Sequence, residues 1–142
     1  MAAERYHHGD LRRALVEAGL VLLEREGPAG LTLRKVAALA GVSHAAPRNH
    51  VRGLPGLVSA IVAEGFRRHA SAMRAAMAEA PPDPESQALA AGEGYCAFAA
   101  AHPALFKLMF ASERADAEAA ELQAGKAESH AVLREVARAR AL

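Results

Sequence analysis

Apolar residues recur along this chain at helical spacing. Leu11, Leu15, Ala18 and Leu22 form one stripe, which predicts a helix from about Asp10 to Glu26, ended by Gly27-Pro28. From Leu31 to His50, LTLRKVAALAGVSHAAPRNH predicts two short helices around a turn. Thr32 is an N-cap ahead of Leu33, Val36, Ala37 and Ala40, the i, i+3, i+4, i+7 pattern of one helix face. Gly41 supplies the positive φ that ends this helix, Val42 is an apolar plug, and Ser43 caps the second. A long helix is predicted from Pro55 to about Ala80, through Leu57, Ile61, Phe66, Met73 and Met77. It would measure roughly 39 Å at 1.5 Å per residue, enough to belong to both halves of the chain.

Asp83-Pro84 opens a further helix, as cap and first helical residue, to about Ala101. His102-Pro103 breaks the chain and restarts it as a short helix carrying Leu105, Phe106, Met109 and Phe110. The Ala/Glu/Arg-rich segment Ala115 to Leu142 is predicted helical. The expected fold is all-α. A three-helix helix-turn-helix unit spans 1–53, a linking helix runs over about 54–80, and a C-terminal helical unit spans 81–142.

Composition agrees, since the 52% hydrophobic content is mostly Ala and Leu, with no Trp and few β-branched residues. Charge adds more. Between Gly27 and Ala63 there is no Asp or Glu, whereas Arg34, Lys35, Arg48 and Arg52 all fall there. Residues 1–70 hold 10 Lys/Arg against 6 Asp/Glu, and residues 71–142 hold 7 against 10. A polyanion would therefore be drawn to the first half and repelled by the second. A helix-turn-helix lays its second helix in a DNA major groove, where His44, Ala45, Arg48 and Asn49 would be presented. Arg48 could clamp guanine O6/N7 or a phosphate, and Asn49 could read adenine. Thr32, Lys35 and His50 suit phosphates, which position without specifying, and Arg34 is a further DNA-binding candidate. Ser43 is either a cap alone or a DNA contact besides.

HGDLRRALVEAGLVLLEREGPAGLTLRKVAALAGVSHAAPRNHVRGLPGLVSAIV resembles the N-terminal DNA-binding domain of TetR/AcrR-family transcriptional regulators. YCAFAAAHPALFKLMF, Tyr95–Phe110, is similar to one branch of their ligand-binding domains. The resemblance implies a cytoplasmic homodimer that binds a palindromic double-stranded operator, and a small-molecule effector that releases it. No cofactor is implied. Family members usually carry an aromatic, commonly Tyr, where this chain has Arg48, Phe where it has Val51, and Lys where it has Leu54. These departures favour an alternative, a helical ligand-binding or dimerisation module without specific operator binding. Family members also run some tens of residues further, so the chain is expected to be either unusually short or truncated inside its dimerisation helices.

Met73, Met77, Tyr95, Phe98, Phe106, Met109 and Phe110 supply most of the large soft side chains of the second half. They read either as its core or as the lining of a pocket for an apolar or amphipathic ligand. His102 is a helix-end residue or a further ligand contact. The Ala-rich stretch from Glu128, with Ala131, Leu133, Val136, Ala137 and Ala139, is the expected dimer contact. No spacing marks a catalytic triad, a phosphate loop or a metal set, and the adjacent pair His7-His8 is expected in a mobile N-terminus. A non-enzymatic protein is expected. No apolar run reaches the roughly 18 residues of a membrane span, and MAAERYHHGD has no apolar leader. Cys96, the one cysteine, cannot form an internal disulfide, which fits a reducing cytoplasm.

Overall fold

In the computed structural model, which describes residues 2–43, 45–46, 51–111, 115–116 and 119–142, every regular element is helical. They are α1 (Ala2–Glu26), a short 3-10 turn (Pro28–Gly30), α2 (Leu33–Ala40), α3 (Gly53–Ala78), α4 (Pro84–Ala101), α5 (Pro103–Ala111) and α6 (Ala120–Ala141). The start of α1 corrects the predicted boundary, and it places the backbone of His7 and His8 in helix rather than in a mobile arm. Ala2, Ala3, Glu4 and Arg5 are strong helix formers, and propensity carries the helix past the apolar stripe. The final helix begins at Ala120, later than predicted. Asp116 is held off the helix by Ser59, whose buried hydroxyl accepts from the Asp116 N–H at 2.7 Å and donates to the Pro55 carbonyl at 2.9 Å.

The local signals behave as their chemistry dictates. Thr32 Oγ1 accepts from the Lys35 N–H at 3.2 Å, and Gly41 closes α2 at φ 72°, ψ 29°. The α3–α4 turn is tied by Gln87, whose side-chain amide donates to the carbonyls of Met77 and Pro81, each at 2.9 Å. Asp83 caps α4 by accepting from the Ser86 N–H at 2.9 Å, with Pro84 next in the chain. His102 closes α4 through its N–H on the Phe98 carbonyl at 2.9 Å.

The long helix α3 is the spine, with 26 residues and buried side chains from Leu57 to Met77. One apolar cluster runs from Leu15 and Leu23 of α1 through Val36 of α2 and Ile61 and Phe66 of α3 to Leu105 of α5 and Leu122 of α6. The two halves of the chain therefore share a core. A second cluster of Met73, Met77, Ala90, Ala91 and Val132 closes the far end of α3 against α4 and α6. Both of those helices dock by glycine. A Cβ on Gly94 would stand 2.7 Å from the Ala72 carbonyl oxygen, and one on Gly125 2.8 Å from that of Ala63. Backbone meets backbone at both crossings, so no larger side chain fits there.

Candidate nucleic-acid interface and sensor core

At the head of the molecule, α1 and α3 frame the short helix α2 and the turn that follows it. Val36 and Ala37 are fully buried, which turns Thr32, Arg34 and Lys35 outward to solvent. Lys35 Nζ pairs with Glu26 at 2.8 Å, so its ammonium is shared with a carboxylate of α1. Ser43 is exposed, and its carbonyl accepts from the Ala46 N–H at 3.1 Å. Ala45 is exposed and Ala46 buried. His44, Arg48, Asn49 and His50 lie outside the described residues. Beyond them the chain turns sharply, with Arg52 at φ 57° and Gly53 at φ 76°. A Cβ on Gly56 would collide with the Val51 carbonyl, so this turn brings buried Val51 tightly against the start of α3.

Ion pairs tie the head to the rest. Arg12 pairs with Glu121 of α6, and Arg68 of α3 with Glu17 of α1 at 2.6 Å and with Glu64 at 3.0 Å. Burial pushes the Glu64 carboxyl up, but hydrogen bonds and charge from Arg67 and Arg68 outweigh it and hold it below the usual range. These charges line a cleft of about 430 Å³ between α1, α3 and α6. All are partly exposed, so they orient the helices more than they stabilise them.

In the second half, the rings named from the sequence come together around a residue that the sequence reading passed over. His69 of α3 is fully buried. Its ring lies 4.3 Å from Tyr95, 5.2 Å from Phe98, 6.2 Å from Phe106 and 6.4 Å from Phe110, centroid to centroid. Nδ1 is 2.9 Å from the buried Ser129 Oγ of α6, while Nε2 has no hydrogen-bond partner among the described residues. Desolvation lowers the His69 pKa, which keeps the ring neutral at pH 7. The signal for His69 was periodicity, since Val62, Phe66, His69, Met73 and Met77 occupy one stripe of α3.

Met109 packs on Gly65 in the main core, and Met73 lies in the far cluster. Met77 is set apart from the rings, lining a cleft of about 430 Å³ with Pro82, Gln87 and Val136. Phe98 is buried, Tyr95 and Phe106 are half-buried, and Phe110 is 51% exposed while packing its ring 4.8 Å from Phe106 and 5.3 Å from Phe66. His102 stacks at 5.0 Å from Phe98, at the edge of the cluster. Among the described residues no group of carboxylates, His and Cys is arranged to hold a metal ion, and no helix is long and apolar enough to cross a membrane.

Residues 88–142 match the family profile of the tetracyclin repressor-like C-terminal domain. A solved structure of a protein of unknown function from Rhodococcus sp. RHA1 is similar at TM-score 0.80 and 36% identity, over 96% of this chain and 71% of that one. A TetR family transcription regulator from Marinobacter aquaeolei VT8 is similar at TM-score 0.69 and 18% identity, over 94% of this chain and 70% of that one. The second likeness is one of fold. No curated protein matches the sequence.

Proposed function

The chain belongs to the TetR family of transcription regulators, and on that footing we propose a ligand-responsive repressor, released from a palindromic operator when a small apolar or amphipathic effector enters its second half. The observation that carries this reading is α3. One unbroken helix of 26 residues begins against the turn after the helix-turn-helix and carries His69 and Met73 in the sensor half. A displacement of α3 by a ligand is passed to the head without an intervening hinge. In a two-fold dimer it alters the separation of two recognition helices, which must match one DNA turn of roughly 34 Å.

In this reading Arg48 and Asn49 contact bases, and Thr32, Arg34, Lys35 and His50 contact phosphates. Dimerisation supplies the second half-site. The outward side of α6, where Leu133 is 36% exposed, is the surface offered for it. Retention of genomic duplex fragments in a gel, repeated over a series of salt concentrations, tests the reading. Retention of particular fragments, weakening steeply as salt rises, is the expected result. A folded protein that retains no duplex would instead be a helical ligand-binding or dimerisation module.

A further inference from the structure

The Nε2 atom of His69 is the one buried side-chain polar atom found without a partner among the described residues. An imidazole nitrogen removed from water and left unpaired is destabilising, so a sequence does not retain one in a packed core for stability alone. Met, Leu or Phe on the same stripe would fill that volume without the penalty. What surrounds the atom is also unusual for this chain. Tyr95, Phe98, Phe106 and Phe110 are four of its six Tyr and Phe residues, and the centroids of all four rings lie within 6.4 Å of that of the imidazole.

The partner on the other nitrogen helps to fix what Nε2 presents. A neutral imidazole is a donor at one nitrogen and an acceptor at the other. If Nδ1 gave its proton to Ser129 Oγ, Nε2 would keep a bare lone pair in an aromatic surround, whose π-electrons do not attract it. If the Ser129 hydroxyl donates to Nδ1, Nε2 carries an N–H, which aromatic faces tolerate as a weak acceptor pair. The second arrangement is the favoured one. The imidazole is then a single hydrogen-bond donor in an aromatic surround. On the short helix α5, half-exposed Phe110 and half-buried Phe106 carry this surround to the surface.

We propose that His69 is the polar recognition group of the effector site, and that its Nε2–H donates to a carbonyl or ether oxygen on a flat aromatic molecule entering beside Phe106 and Phe110. This rests on the sensor reading of the second half and narrows its ligand from any apolar molecule to an aromatic hydrogen-bond acceptor. Stacking on the rings supplies the apolar contact, and the unpaired donor supplies the selectivity. A site with a buried donor discriminates strongly against an analogue that leaves it unpaired. Displaced Phe106 and Phe110 would carry the signal into α5 and α3, against which Phe110 packs through Phe66.

The test uses two near-isosteric probes, 2-acetonaphthone and 2-isopropenylnaphthalene, which differ by an oxygen in place of a methylene. Binding of each to the whole protein is measured by calorimetry without DNA, so failure here is separate from failure of operator binding. The ketone is expected to bind at least about tenfold more tightly than the alkene, one hydrogen bond's worth of discrimination. In His69→Phe that ratio is expected to fall to about one. Because this substitution could impair folding, the ¹⁵N resonance of His69 Nε2 is followed in the unaltered protein, where the ketone should move it and the alkene should not. Equal affinities, binding of neither probe, or an unmoved resonance would make His69 a core residue and overturn the proposal.

Discussion

At the DNA-facing end of this molecule the residues with chemistry to offer stand in solvent. Thr32, Arg34, Lys35 and Ser43 are exposed, and what lies beneath them, Val36 and Ala37, is plain packing. At the sensing end the order is reversed. His69 and Ser129 are buried and the rings gather around His69, while the exposed positions of α4 and α6 mix Ala with Glu, Arg, Leu89 and Leu133. The head must meet a large, hydrated, charged partner that never leaves water. In the proposed function the body meets a small apolar one by removing it from water. The same helix α3 serves both ends, so the two chemistries are mechanically one body with a shared core.

The comparison can be broken most severely at a helix crossing. Gly125→Leu forces side-chain atoms into the Ala63 backbone, which cannot rotate away as a side chain could. A loss of about 3 kcal/mol or more is expected in chemical denaturation, with head and body unfolding in one transition. Gly92, with nothing near its missing Cβ, is the control, and Gly92→Ala should stabilise by about 0.5–1 kcal/mol. Two separate transitions in Gly125→Leu would mean that the shared core does not couple the halves.

A functional break of the head comes next in size. Arg48→Ala is expected to weaken specific operator binding by about 1–3 kcal/mol. Lys35→Ala should weaken specific and random DNA alike and flatten the salt slope by about one unit. An unchanged ratio of operator to random affinity in Arg48→Ala would remove Arg48 from base reading.

Acid sharpens the contrast from the other side. Burial lowers the His69 pKa below its ordinary value of 6.5, so the unfolded chain takes up a proton that the folded chain refuses. The contribution is intact above pH 6.5 and is lost as pH falls toward the folded-state pKa. Its slope is at most about 1.4 kcal/mol per pH unit. Denaturation at pH 7 and pH 5 should show a larger acid loss for the native sequence than for His69→Phe. Equal losses would mean that His69 is not held neutral by the core.

The smallest effect belongs to the cap. Thr32→Ala is expected to cost about 1 kcal/mol in thermal unfolding, through the lost acceptor for the Lys35 N–H.

Much of the head was legible because its signals are local. A cap three residues from its donor, a glycine at positive φ and the apolar plug Val42 can all be read within one turn of helix. The His102-Pro103 break between α4 and α5 was legible for the same reason. What the sequence concealed depends on partners far along the chain. Ser129 is 60 residues from His69, and Asp116 is 57 from Ser59. The glycines of α4 and α6 look like weak points of Ala-rich helices until Ala72 and Ala63 are found against them. The start of α1 was misplaced because its first turns are set by propensity, without the apolar stripe used to find it. Of the soft side chains of the second half, Tyr95, Phe98, Phe106 and Phe110 gather around His69 while Met73 and Met77 lie in a separate cluster, and His69, although it stands at the apolar spacing of α3, is passed over when only apolar residues are counted.

Selection of bound sequences from a pool of random duplexes tests the regulator reading most directly. The expected result is enrichment of a two-fold symmetric site with half-site centres about one helical turn apart, lost from the pool when Arg48→Ala is used. Enrichment of nothing above the starting pool by the folded protein would contradict it.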